Sequence, residues 1–101
     1  MKQLLCNLAD VPASGAKTVQ FFGREALIYR RGGELKAALS ICPHLGGPLE
    51  LRDGKLVCPW HGAQFDADTG ACRNGPAAPA SMAMFLPTRV EDDALHYVWG
   101  E

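Results

Sequence analysis

Two short segments each place a cysteine close to a histidine, and they constrain the chain more than any other feature. The first is Cys42-Pro43-His44 and the second is Cys58-Pro59-Trp60-His61. Either spacing can put one sulfur and one imidazole nitrogen on the same side of a tight turn. The two segments therefore predict one metal centre with two thiolate and two imidazole ligands.

Two kinds of metal centre suit this donor set. Structural zinc accepts two cysteines and two histidines, but it usually takes the cysteines from one C-x(2–4)-C segment and the histidines from one H-x(3–5)-H segment. Here both segments are mixed. Mixed segments suit a [2Fe–2S] cluster in which two histidines replace two cysteines on one iron. The spacing favours this cluster, with a zinc-bound interaction module or a metal-free structural use as the alternatives.

The residues around both segments resemble the Rieske [2Fe–2S] family. The resemblance is carried by residues 42–49 and 58–66, and Thr69-Gly70 followed by Gly75-Pro76-Ala77 is similar to the family's third loop, which packs over the cluster. It implies that Cys42 and Cys58 bind the inner iron. It also implies that His44 and His61 bind the outer iron through Nδ1, with their far nitrogens near solvent.

Alternation of apolar and polar residues dominates the chain, and no convincing amphipathic helix is present. Such alternation predicts strands, here separated by turn signals that include Gly32-Gly33, Asp53-Gly54 and Asp92-Asp93. The predicted strands cover residues 3–8, 17–22, 25–31, 35–41, 55–58, 63–66, 82–91 and 94–99. Short strands at this spacing favour an all-β sandwich or barrel. The resemblance implies an antiparallel β base domain with an inserted cluster-binding subdomain at about residues 42–74.

Length and charge narrow the function classes. A chain of 101 residues is expected to form one domain, residues 1–101, that buries only about two-thirds of its unfolded surface, so a cluster would also matter for stability. The formal net charge is −1 and no run of lysine or arginine occurs. This argues against nucleic acid or an anionic membrane as the main partner. The few apolar residues at the N-terminus are too short for a signal peptide or a span, which predicts a cytoplasmic protein.

Several reactive or aromatic residues lie outside the ligand set. Cys6 and Cys72 show no disulfide framework and are best interpreted as small hydrophobic residues. His96 falls in a strand-like segment and is expected at a surface or edge. Trp60 is expected to pack beside the cluster and shield it rather than to conduct electrons. The acidic groups, namely Glu50 and Asp53, Asp66 and Asp68, and residues 91–93, are expected in solvated turns.

The chain offers few residues for catalysis. Oxygenases with a Rieske domain add an iron site made of two histidines and one carboxylate. Two of the three histidines here are assigned to the cluster, which leaves only His96. We therefore expect an electron carrier and no enzyme: a monomeric Rieske-type ferredoxin that passes electrons from a flavin-dependent reductase to an oxygenase, such as an aromatic-ring dioxygenase. The alternative is a small subunit of a larger oxidoreductase, such as assimilatory nitrite reductase.

The chain also departs from the respiratory members of the family. Those carry a disulfide between the two cluster loops, and the matching positions here are Gly47 and Trp60. They also carry serine and tyrosine hydroxyls that donate hydrogen bonds to cluster sulfurs, where this chain has Ala63 and Phe65. Fewer such hydrogen bonds predict a low reduction potential.

Overall fold

The computed structural model describes residues 1–41, 47–60, 62–74 and 82–100. Within these ranges the secondary structure is almost entirely β, with one 3-10 helix at Leu8–Asp10. No helix in this part of the chain is long and apolar enough to cross a bilayer. The strands are β1 (Lys2–Asn7), β2 (Ala16–Phe21), β3 (Arg24–Arg31), β4 (Glu34–Leu39), β5 (Glu50–Arg52), β6 (Lys55–Val57), β7 (Gln64–Asp66), β8 (Cys72–Asn74), β9 (Thr88–Glu91) and β10 (Ala94–Val98).

The strands pair antiparallel in three sheets. The terminal sheet has the order β1-β10-β9, the central sheet β2-β3-β4 and the inserted sheet β5-β6-β7-β8. The inserted sheet falls between β4 and β9 in sequence, so it is an insertion in a base formed by the other two sheets. The predicted fold, an all-β antiparallel base with a small inserted unit, is confirmed.

Two-residue turns close three of the hairpins at the predicted positions. Gly32 and Gly33 connect β3 to β4, Asp53-Gly54 connects β5 to β6, and Asp92-Asp93 connects β9 to β10. The residues of each turn have positive φ, as expected for the turns that match the twist of a two-residue hairpin.

Some predicted strands have different bounds. The strand predicted for residues 82–91 is wrong over its first part, because β9 covers only Thr88–Glu91. Pro87 precedes it and has no N–H to donate to a neighbouring strand, and residues 82–87 make only isolated bridges from Met82 to Ala71 and from Phe85 to Ala38. The prediction missed β5 and β8, which are three residues long and show little apolar alternation.

Strand β3 lies between two hydrophobic cores. Leu27 and Tyr29 belong to the core shared with the inserted sheet, where they meet Leu56 and Phe65. Ile28 belongs to the other core, which the terminal sheet completes. Since successive side chains of a strand point to opposite faces, one buried run of β3 serves both cores. The inserted sheet is thereby packed directly on the base.

Candidate metal centre

Three of the four predicted ligands, Cys42, His44 and His61, lie outside the described residues, and Cys58 lies within them. Among the described residues, no group of three histidine, cysteine or acidic side chains could hold a metal ion. The four-residue ligand set therefore stays a prediction. The described residues beside the ligand set, chiefly Gly47 and Trp60, show the surroundings of the predicted site.

Ser40 fixes the chain on either side of the first predicted ligand segment. Its Oγ donates a hydrogen bond to the Leu49 carbonyl at 3.1 Å and accepts one from the Leu49 N–H at 3.0 Å. Ser40 follows β4 and Leu49 precedes β5. Ser40 and Leu49, on either side of the segment that contains Cys42 and His44, are thus held together where the base meets the inserted sheet.

A tight turn carries the second predicted ligand segment. The Cys58 N–H donates to the Ala63 carbonyl at 2.9 Å, and the Gly62 N–H donates to the Cys58 carbonyl at 2.9 Å. Gly62 has a φ of +78° and its missing side chain would meet open space, so glycine is required there by conformation. Strands β6 and β7 lie on either side of this turn and pair antiparallel. The hairpin therefore sets the position of Cys58.

The second segment runs from the interior to the surface within three residues. Cys58 is fully buried, in the core with Leu56, Ala63 and Phe65. Trp60 is 68% exposed. The thiol of Cys58 lies in apolar surroundings, while the chain just before His61 has reached solvent.

The described part of the site fits an iron–sulfur cluster. Cys58 supplies a soft thiolate donor from a dry position, and thiolates are the ligands that such clusters prefer. Gly47 approaches its sulfur so closely that a Cβ on Gly47 would lie 3.2 Å from Cys58 Sγ. A cluster bound here would have an apolar wall on the Cys58 side. Ala63 and Phe65, both fully buried, offer no side-chain hydroxyl on that wall.

Two side chains of β3 bind the inserted unit. The Tyr29 hydroxyl donates to the Ala67 carbonyl at 2.7 Å. Burial raises the pKa of Tyr29, and the nearby carboxylate of Asp68 raises it further. Arg31 donates two hydrogen bonds of 3.1 Å to the Asp68 carboxylate. The Arg31 hydrogen bond lowers the pKa of Asp68.

The sequence indicated the ligand segments but did not single out Ser40, Tyr29 or Arg31. Ser40 could have been suspected, because it stands two residues before Cys42. The roles of Tyr29 and Arg31 could not be predicted, because their partners are distant in sequence and the apolar alternation around them is typical of any strand.

The remaining cysteines fit their predicted packing. Cys6 is buried in the core with Ile28 and Leu95. Burial raises the pKa of its thiol, an effect that Lys17 opposes and Asp10 reinforces. Cys72 is half-buried and packs against the core that contains Cys58.

His96, expected at a surface or edge, is partly exposed but does not lie at an edge. His96 lies on β10, the middle strand of the terminal sheet, opposite Leu4 on one side and Arg89 on the other. Its side chain is half-buried, and Nδ1 is buried without a hydrogen-bond partner among the described residues. The apolar alternation around His96 does not reveal which strand lies at an edge.

The acidic turns are more structured than predicted. Asp66 Oδ1 accepts hydrogen bonds from the N–H groups of Asp68, at 2.7 Å, and Thr69, at 3.0 Å. Glu91 forms a 3.4 Å ion pair with Lys2. Asp66 and Asp68 therefore organise the turn after β7 and bind it to the base.

The third predicted loop is described only at its start. The Gly70 N–H donates to the Asp66 carbonyl at 2.8 Å, and the Ala83 N–H donates to the Gly70 carbonyl at 2.8 Å. Residues 75–77 lie outside the described residues. Gly70 is thus hydrogen-bonded to Asp66 before it and to Ala83, which precedes β9 of the base.

Comparisons with known sequences identify the family. The profile of the Rieske [2Fe-2S] domain matches residues 1–90. The oxygenase component of dicamba O-demethylase from Stenotrophomonas maltophilia is 41% identical over an alignment of 81 residues that covers 73% of this chain and 24% of that protein. The chain therefore spans about a quarter of that relative's length.

Solved structures share the fold. A ferredoxin of Sphingomonas yanoikuyae B1 superimposes with a TM-score of 0.81 at 23% identity, over 99% of this chain and all of that one. A chain in a complex of oxygenase and ferredoxin of carbazole 1,9a-dioxygenase gives 0.75 at 19% identity, over 95% and 91% of the two chains. A protein provisionally assigned as an NADPH nitrite reductase small subunit gives 0.69 at 18% identity, over 98% and 99%.

The match over residues 1–90, the inserted four-stranded sheet and the buried Cys58 agree with one another. The cofactor of this family is a [2Fe–2S] cluster of the Rieske type. The chain belongs to the Rieske [2Fe-2S] domain family.

Proposed function

We propose that the protein is a soluble, cytoplasmic one-electron carrier of the Rieske ferredoxin type. In this proposal Cys42, His44, Cys58 and His61 hold the cluster, within a cluster-binding subdomain of about residues 42–74. The cluster supplies a site that gains and loses one electron. The protein itself catalyses no other reaction.

The course of the second ligand segment is the observation that carries the proposal. Cys58 is fully buried, whereas Trp60, directly before His61, is 68% exposed. With cysteines on the inner iron and histidines on the outer iron, this course leaves the histidine edge of a bound cluster near solvent. A redox centre near the surface suits electron exchange with a docked partner.

The proposed donor is a flavin-dependent reductase and the proposed acceptor is a terminal oxygenase. The oxygenase is of the kind that acts on aromatic rings. Support comes from the fold shared with a ferredoxin over nearly the full length of both chains, and from the oxygenase–ferredoxin complex named above. We further propose that the protein is a monomer between encounters, as a diffusible carrier must leave one partner before it meets the next.

Electron delivery tests this function directly. The loaded protein is first reduced under nitrogen with a limiting amount of NADH and a catalytic amount of a flavin-dependent ferredoxin reductase. An aromatic-ring dioxygenase lacking its own ferredoxin is then added with its substrate and O2. We expect the cluster absorption to bleach on reduction and to recover when the oxygenase and its substrate are added. A cluster that the reductase cannot reduce, or that the oxygenase cannot reoxidise, would count against the proposed partners.

The alternative is a small subunit held permanently in a larger oxidoreductase, such as assimilatory nitrite reductase. The structural similarity to the nitrite reductase small subunit favours this alternative, with a lower TM-score than that of the ferredoxin. The two functions differ in assembly. If tagged protein purified from its native cells carries a larger oxidoreductase chain in equal amount, the carrier proposal is wrong.

A further inference from the structure

The indole ring of Trp60 lies directly on the backbone of Gly47. A Cβ built on Gly47 would lie 2.8 Å from Trp60 Cε3 and 2.9 Å from Cδ2, closer than real side-chain contacts. Gly47 itself is buried. One edge of the indole is therefore packed against the main chain, although Trp60 is 68% exposed as a whole.

Space, and not conformation, requires glycine at residue 47. Gly54 and Gly62 have a positive φ, which explains glycine there, whereas Gly47 is not among the glycines with positive φ. Any larger residue would have to displace either the indole or the Cys58 sulfur, which the same Cβ would approach to 3.2 Å. Gly47 thus packs against both the Trp60 ring and the Cys58 sulfur.

This contact joins the second predicted ligand segment to the chain that follows the first. Gly47 is the third residue after His44, and Trp60 lies between Cys58 and His61. The indole belongs to the second segment, and the backbone beneath it follows the first segment by three residues.

We propose that Trp60 is a positioning residue that clamps the first ligand segment against the second and covers the sulfur of Cys58. The proposal rests on the ligand set of the proposed function. The contact is stabilised by the apolar area that the indole ring buries when it packs against Gly47. Without the ring, the segments separate more often and water reaches Cys58 Sγ.

The rate of cluster loss measures this effect. Protein loaded with its cluster is mixed with excess EDTA under nitrogen, and the visible absorption is followed as it bleaches. For Trp60→Ala we expect bleaching about tenfold faster, equivalent to about 1.4 kcal/mol in the barrier. Trp60→Phe should keep most of the protection, since a phenyl ring can still lie on Gly47.

Phe22→Ala is the matched control. Phe22 is also an exposed aromatic side chain, 70% exposed, but it lies in the turn between β2 and β3 of the base. Its ring packs edge-on against Phe21 of the base, with centroids 4.8 Å apart, so the substitution affects the base and not the ligand segments. Its bleaching rate should stay within about twofold of the wild type. Equal acceleration by Phe22→Ala and Trp60→Ala would overturn the specific role of Trp60.

Gly47→Ala tests the other half of the contact. Its Cβ should push the indole aside and accelerate bleaching, and it should have much less effect in a Trp60→Ala background, because residues in contact are not additive. If Gly47→Ala accelerates bleaching equally in the wild type and in Trp60→Ala, its Cβ clashes with Cys58 alone, and the clamp is overturned. If Trp60→Ala loads poorly, Gly47→Ala in the wild-type background still tests the contact, and a bleaching rate within about twofold of the wild type would overturn the clamp.

Two further measurements separate the clamp from other causes. Fluorescence of Trp99, which stacks on Tyr97 with ring centroids 5.1 Å apart, reports unfolding of the base in Trp60→Ala. We expect bleaching to become faster while the Trp99 unfolding transition stays in place. If both change together, Trp60 acts only through global stability and the proposal fails. Iron content before EDTA is added tests the ligand set independently.

Discussion

The hydroxyl of Tyr29 donates a 2.7 Å hydrogen bond to the carbonyl of Ala67, and both residues are fully buried. Tyr29 lies on β3 of the base, and Ala67 lies in the turn that follows β7 of the inserted sheet. A hydrogen bond buried between the two units fixes their relative position more strictly than apolar packing can, because its geometry is directional.

Replacement of Tyr29 by phenylalanine removes this bond and preserves the ring. The Ala67 carbonyl then loses a buried donor, and a buried polar group left without a partner costs about 1–3 kcal/mol. We expect the free energy of unfolding of Tyr29→Phe to fall by that amount. Denaturant unfolding of the loaded protein, compared with Tyr97→Phe as the other tyrosine variant, measures the difference.

Alkaline pH should reduce the stability that Tyr29 contributes to the folded protein. The pKa of Tyr29 is raised in the folded protein by burial, while an unfolded tyrosine titrates near about 10. Above that pH the unfolded state loses its proton before the folded state does, so the stability contributed by Tyr29 is complete below pH about 10 and is lost as the pH rises further. The stability difference between wild type and Tyr29→Phe should shrink above this pH. A difference that stays constant to pH 11 or so contradicts the assignment.

Gly54→Ala should destabilise the junction between β3 and the inserted sheet. Gly54 has a φ of +76°, and a Cβ there would lie 3.1 Å from Arg31 Nη1, so the substitution strains the backbone and displaces the arginine from its place beside Asp68. The backbone part alone costs about 1–2 kcal/mol. Thermal unfolding measures the total loss.

Gly23→Ala isolates the backbone part of that loss. Gly23 has a φ of +81° and nothing within 4 Å of its missing Cβ. We expect Gly54→Ala to be the more damaging of the two in the wild type, and the two to become alike in an Arg31→Ala background. Equal losses in the wild type would show that Arg31 yields at no cost.

The isolated protein should contain two irons and two acid-labile sulfides per chain, as a [2Fe–2S] cluster requires. His44→Ala and Cys58→Ala should each abolish the cluster, because each removes a predicted ligand. Cluster loss should also lower the melting temperature markedly, since metal binding and folding are coupled in small domains. Stoichiometric zinc in protein made with ample iron would refute the cluster.

Cys6→Ser and Cys72→Ser are the matched controls for these ligand variants. Cys6 lies in the core on the terminal-sheet side, and Cys72 packs at the margin of the core that contains Cys58. Both should keep the visible spectrum of the wild type. Bleaching by either would mean that the ligand set is wrong.

The reduction potential should lie near the low end of the range for Rieske clusters, which begins at about −150 mV. Ala63 and Phe65 are fully buried beside Cys58 and have no hydroxyl to donate to a cluster sulfur. If each hydrogen bond favours the reduced state by about 1–2 kcal/mol, two missing bonds lower the potential by about 90–170 mV. Spectroelectrochemical titration at neutral pH measures it.

Ala63→Ser and Phe65→Tyr should each raise the midpoint potential. A single restored bond corresponds to about 40–85 mV on the same scale. A wild-type midpoint above about +100 mV, in the upper half of the Rieske range, would contradict both the low potential and the ferredoxin role that depends on it.

The sequence predicted the local features of the fold well. The turns at Asp53-Gly54 and Asp92-Asp93 were predictable because the residues that adopt a positive φ in two-residue hairpins are few. The family was predictable because few metal centres take one cysteine and one histidine from each of two segments. Both features depend on residues that are close in sequence.

The features that the sequence could not predict depend on distant partners. The contact of Trp60 with Gly47, the bond from Tyr29 to Ala67 and the central position of His96 each require the register of several strands. Periodicity reports which face of a strand is buried, but not which strand lies beside it. Strands as short as β5 carry too few residues for periodicity to register at all.

The burial of β3 on both faces has a consequence for how the protein opens. Ile28 and Tyr29 are neighbours in sequence, yet each belongs to a different core. Separation of the inserted sheet from the base would expose Tyr29 to water while Ile28 kept its packing. The boundary between the part that opens and the part that stays packed therefore falls between two adjacent residues. Amide exchange along β3 would then report the opening of either side, and the slowest-exchanging amides of the chain are expected in this strand.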